Sequence, residues 1–225
     1  MRKVRDLDLR QVLEIGGIAA AAILVAFGVA TIIISLNGRS TVRDSLKLEQ
    51  IVGSSDMTPA AIQDEAKQAG LQASLKLPTI DLVGKQITSG ERARAFASYM
   101  RIHALEATGG LTYSQMGRYI ATPGAPKKST DGHGGTNDAA YAKRDPKTQQ
   151  PVENAARNLW VTETALSTAL NTSYMAEQLA MFGLVVGFAF LLAGIGFAIL
   201  SIGGALRNPE TAVALLRRPR KAGGA

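Results

Sequence analysis

The chain has 225 residues, no cysteine, two histidines and a formal net charge of +7. Without cysteine there can be no disulfide staple, no Cys-ligated zinc and no thiol chemistry. The charge suggests nucleic acid only until it is apportioned: residues 37–180 carry 16 basic and 14 acidic side chains, so most of the excess lies in two short tails beside apolar runs, a lipid-directed pattern that needs no nucleic acid.

Residues 1–14, with Arg2, Lys3, Arg5 and Arg10, lead into an uncharged apolar run at 15–36. At about 1.5 Å per helical residue, a run of this length crosses a hydrocarbon core of roughly 30 Å. It is longer than the apolar part of a signal peptide, and Ile34-Ser35-Leu36-Asn37 offers no small-x-small cleavage pattern, so it reads as an uncleaved anchor. From 41 to 51, Val42, Leu46, Leu48 and Ile51 alternate with charges, and the helix is expected to continue outward for about two or three turns before Gly53. Thr58 followed by Pro59 predicts a helix start, with the helix running through 60–69 and ending at Gly70. The stretch 75–87 (LKLPTIDLVGKQI) mixes β-branched residues with Pro78 and Gly84 and reads as an extended, packed connector.

Thr88 with Glu91 has the form of a capping box, opening a helix that places Ala93, Phe96, Ala97, Met100, Ala104 and Ala107 on one face before Gly109 and Gly110. Thr112 with Gln115 predicts a second, short helix through Ile120. Residues 122–151 hold four prolines, a Gly-His-Gly-Gly tract and little apolar bulk, which predicts a disordered segment, with a functional flap as the alternative. From 152 to 206 there is no proline and no glycine before Gly183, and Leu159, Leu166, Leu170 and Tyr174 form one stripe. That predicts a single helix: an outer stalk continuous with a second span at 181–206.

These elements give an all-α membrane protein, with two transmembrane helices and an extracytoplasmic helical bundle at 37–180. Basic residues set its orientation. No Lys or Arg lies between Asn158 and Gly204, whereas Arg207, Arg217, Arg218, Arg220 and Lys221 follow, which puts 207–225 in the cytoplasm and implies N-in, C-in topology. Arg217, Arg218, Arg220 and Lys221 are the expected contacts to anionic lipid head groups of the inner leaflet. Within the second span Gly183, Gly187, Gly194 and Gly196 invite close helix packing, against either the first span or the same helix of a second copy.

No cofactor is expected, because no cofactor motif is present. Asp131, His133, Asn137 and Asp138 bring oxygen and nitrogen donors together in the glycine-rich segment, but without the order of a calcium loop, and read better as a solvated loop. His103, Glu106 and Glu163 are the candidates for a metal or proton-handling cluster. The plainer reading has Glu163, on the apolar stripe of the stalk, paired with His103 or Arg101 to fix helix register.

The stretches 99–110 (YMRIHALEATGG) and 160–178 (WVTETALSTALNTSYMAEQ) resemble a group of actinobacterial two-span membrane proteins. The resemblance implies topology and cell-envelope location and carries over neither an activity nor a site. The expected function is that of a non-enzymatic envelope scaffold or accessory subunit of a membrane complex, self-associating or joined to another membrane protein. The alternatives are a sensory input subunit that signals through a separate cytoplasmic partner and, third, a metal- or proton-handling enzyme.

Overall fold

The computed structural model describes residues 9–71 and 75–203. Arg217, Arg218, Arg220 and Lys221 of the basic tail lie outside the described residues. The described chain forms four α-helices, α1 (Leu9–Leu48), α2 (Pro59–Gln68), α3 (Gly90–Ala107) and α4 (Ala155–Ile202). Between α3 and α4 sits one short antiparallel pair, β1 (Tyr119–Ile120) and β2 (Gly135–Thr136). Two compact units emerge: Met1–Arg39 with Leu179–Ala225, and Ser40–Gln178.

In the first unit α1 and α4 pack antiparallel with their backbones in contact, and glycine makes this possible. A methyl group at Gly28 would stand 2.7 Å from the Leu191 nitrogen, at Gly187 3.0 Å from the Gly28 carbonyl oxygen, and at Gly194 2.9 Å from the Val25 nitrogen. Gly183 continues the seam against Ser35, whereas Gly196 faces open space. Of the two partners the sequence allowed for the glycine stripe, the structure therefore uses the first apolar helix of the same chain. Away from the seam, Phe27, Ile34, Phe182 and Leu192 are each more than 60% exposed. Both helices are long and apolar enough to cross a membrane, and only 17% of the apolar window of each is buried, too little for core helices of a soluble domain.

In the second unit the local signals are mostly obeyed. Thr58 Oγ1 accepts the Ala61 N–H at 3.1 Å and Pro59 takes the first helical position, so α2 starts there. Ser89 rather than Thr88 caps α3, accepting the Arg92 N–H at 3.4 Å; the apparent Thr88–Glu91 box is one residue out of phase with the helix. At its other end the Gly110 N–H returns to the Leu105 carbonyl at 2.7 Å through left-handed Gly109 and Gly110. α3 is buried on more than one side: Phe96, Tyr99 and Ile102 join Leu46, Ile62, Leu82, Ile87 and Leu170 in the main core, while Leu105 packs with Met116 and Trp160 in a second cluster. Leu82 and Ile87 confirm 75–87 as an irregular, packed connector.

α1 continues outward to Leu48, about two turns beyond Thr41 and short of Gly53 as expected, and Gln50 then turns the chain through a positive φ of 52°. Two expectations need correction. Thr112 and Gln115 do make a capping contact, with the Gln115 carboxamide oxygen accepting the Thr112 N–H at 2.8 Å, but only a 3-10 turn at Tyr113–Gln115 follows before the chain becomes β1. Residues 122–151, expected to be disordered, instead form a hydrogen-bonded loop. Its bridges join Tyr119 to Glu153, Ala121 to Ala142 and Arg144 to Pro151 around the β1–β2 pair. Composition misleads here because backbone and short side chains, rather than apolar bulk, hold the loop.

Candidate functional site

Asp131 shows how that loop is held. Its carboxylate accepts three backbone N–H groups, from Gly117 at 2.6 Å and from His133 and Gly135 at 2.8 Å each. Partial burial pushes this carboxyl upward, but the donors at Gly117, His133 and Gly135 outweigh that and hold it below the usual carboxylate range. Asn137 Oδ1 is taken by the Arg118 N–H at 3.0 Å, and Asp138 Oδ1 by the Ala140 N–H at 2.8 Å. The oxygens the sequence offered as ligands in this segment are thus engaged by the loop's own backbone, and His133 is exposed.

The sequence candidates His103, Glu106 and Glu163 divide. Glu163 is buried, but it pairs with neither His103 nor Arg101: Ser167 Oγ donates to its carboxylate at 2.6 Å and Thr164 Oγ1 at 3.4 Å. Arg101 instead lies over the Trp160 ring, 5.2 Å from its centroid. His103 and Glu163 do line one apolar cleft of about 230 Å³ with Met100, Leu159 and Leu166. The imidazole nevertheless addresses a different set of groups.

His103 Nε2 stands 3.4 Å from Glu65 Oε2 and 3.6 Å from Asp56 Oδ2. One ligand atom from each of the three residues lies within 4.8 Å of the other two. Three consecutive segments bring them together. Asp56 sits in the turn before α2, oriented by the Ser54 hydroxyl; Glu65 follows Ile62 by three residues on the core-facing side of α2; and His103 projects from α3. Desolvation, a hydrogen bond shared with the Glu106 carboxyl, and the charges of Glu106 and Asp56 push the Glu65 carboxyl up to about 7. The Ser54 hydroxyl, against a smaller opposing effect of burial, holds Asp56 below its ordinary value. His103 Nε2 and Glu65 Oε1 are both buried without a hydrogen-bond partner.

The sequence thus identified His103 and Glu106 but missed Asp56 and Glu65. A signal for Glu65 was present, since its spacing from buried Ile62 and Ala66 sets it beside the inner face of α2, yet nothing local shows that α2 packs against α3 at His103.

A second polar site escaped sequence reasoning altogether. Glu177, on α4 and buried, accepts the Gly90 N–H at 2.6 Å at the start of α3 and meets Arg43 Nε of α1 at 3.4 Å. A carboxylate at a helix N-terminus is favoured by the exposed N–H groups there. Gly90 allows the approach: a methyl group on it would stand 2.7 Å from the Tyr174 Cα. This is a structural tie among three helices.

Compared with known proteins, the chain matches no family model, no curated protein and no solved structure.

Proposed function

We propose that this is a cell-envelope membrane protein that crosses the bilayer twice, with 1–14 and 207–225 inside and 37–180 outside, acting as a non-enzymatic scaffold or accessory subunit of a membrane complex. The observation that carries the reading is the pair of apolar helices whose large side chains remain exposed on every side but the glycine seam. An exposed apolar surface of that extent calls for lipid or a membrane partner. The basic residues from Arg207 to Lys221, next to the second helix, support the inward orientation and contact with anionic lipid. Since the glycine seam is engaged within the chain, association with a second copy or another membrane protein would use the exposed apolar faces or the outer unit. Crosslinking in native membranes followed by pull-down tests the scaffold role; recovery of the chain only as a monomer without partners would count against it.

The cluster of His103, Asp56 and Glu65 favours a second reading, a sensory input subunit whose output lies in a separate cytoplasmic partner. A thermal-shift screen of the full chain in detergent separates the two. A sensor gains stability with a specific small ligand, and a pure scaffold does not.

A further inference from the structure

We infer that Asp56, Glu65 and His103 form a binding site for one divalent transition cation of the zinc class, with Glu106 as the outer carboxyl that orients Glu65. The site does not depend on membrane topology or on the scaffold reading.

The distances argue for a shared cation rather than a direct ion pair. Hydrogen bonds from N–H to oxygen fall at about 2.7–3.2 Å. The 3.4 and 3.6 Å separations from His103 Nε2 to Glu65 and Asp56 exceed that range. Ligand atoms 2.0–2.2 Å from a tetrahedral zinc ion stand about 3.3–3.6 Å apart. The two spacings from the imidazole fall in that range, and the Asp56 and Glu65 ligand atoms lie within 4.8 Å of each other.

The unsatisfied atoms argue the same way. His103 Nε2 is buried with no hydrogen-bond partner, and a buried polar atom left unsatisfied is costly. Glu65 Oε1 is likewise buried with no hydrogen-bond donor. Oε2 is the oxygen that faces His103 Nε2, so a cation between these two satisfies the imidazole and leaves Oε1 to the Glu106 carboxyl. Asp56 lies half exposed at the rim, so an ion can enter from solvent and keep a water in the remaining position.

The donor set selects the class of ion. Calcium and magnesium are held by oxygen ligands. One imidazole with two carboxylates suits zinc and its first-row neighbours, and no thiolate is present to draw copper(I).

The test is a calorimetric titration of Zn²⁺ into the full chain in detergent, purified without a polyhistidine tag, with Co²⁺ absorption reporting coordination geometry. We expect one Zn²⁺ per chain, tetrahedral-type Co²⁺ bands, and affinity unaffected by excess Mg²⁺. Asp56→Asn and His103→Gln should each weaken binding by about tenfold or more. His133→Gln, which removes the only other histidine, should leave it unchanged. Asp56 is half exposed, so Asp56→Asn retains the fold and decides the matter even if His103→Gln loses stability. Absence of saturable binding, binding unchanged in Asp56→Asn, or binding lost in His133→Gln would each overturn the proposal.

Discussion

The two units hold together by opposite means. In the unit that contains the apolar helices, α1 and α4 meet where side chains are missing, and contact is made by backbone at Gly28, Gly187 and Gly194. In the Ser40–Gln178 unit the aromatic core is small, and buried polar groups complete the packing: Glu177 on the start of α3, Asp131 inside its loop, and Trp160 Nε1 donating to the Leu111 carbonyl at 2.7 Å. In the lipid proposed to surround these helices there is no hydrophobic drive between them, and closeness must supply dispersion. Water rewards burial, but each buried donor or acceptor then needs a partner.

Sharpening this contrast begins with the largest expected effect. Trp160→Ala removes both the centre of the second core cluster and its hydrogen bond, and is expected to destabilise the Ser40–Gln178 unit by about 3–5 kcal/mol in a denaturation measurement. Gly187→Leu should cost about 2–3 kcal/mol, because the rigid α1 backbone cannot yield. Gly196→Leu, facing open space, should change stability by less than about 0.5 kcal/mol. Equal effects at the two glycines would dissolve the seam. Gly90→Ala should cost about 1–3 kcal/mol by driving α3 from Tyr174 and stretching the Glu177 contact, seen as a lower melting temperature of the full chain.

One further effect depends on pH. Asp131 has its carboxyl held down in the folded state, so its stabilising contribution is present above the reference value of 3.8 and fades as pH falls through and below it. Asp131→Asn should therefore cost about 1–2 kcal/mol at neutral pH and progressively less on acidification. A cost that stays constant down to pH 3 would mean that the three N–H bonds do not depend on the charge.

The ease of reading the sequence follows the same division. The apolar runs, the Thr58–Pro59 start, the Gly109–Gly110 stop and the unbroken stretch that becomes α4 were legible because each is local: period, cap or breaker within a few residues. The fold of 122–151 was not, because Asp131 works through donors at Gly117 and Gly135 that no composition rule connects to it. The cluster was half legible. His103 and Glu106 share a helix at a readable spacing, while Asp56 and Glu65 arrive through the packing of α2 on α3. Glu163 was misassigned for a related reason: its stripe position was right, but Ser167, one turn along the same helix, satisfies it before any other helix needs to.

The central claim is that the chain crosses the bilayer twice with its middle outside. Because there is no native cysteine, single-cysteine variants can be labelled on intact cells with a membrane-impermeant maleimide. The account predicts that Thr148→Cys, in the exposed loop, reacts on intact cells, while Ala222→Cys reacts only after permeabilisation. Labelling of Ala222→Cys on intact cells, with Thr148→Cys protected until the membrane is opened, would contradict it.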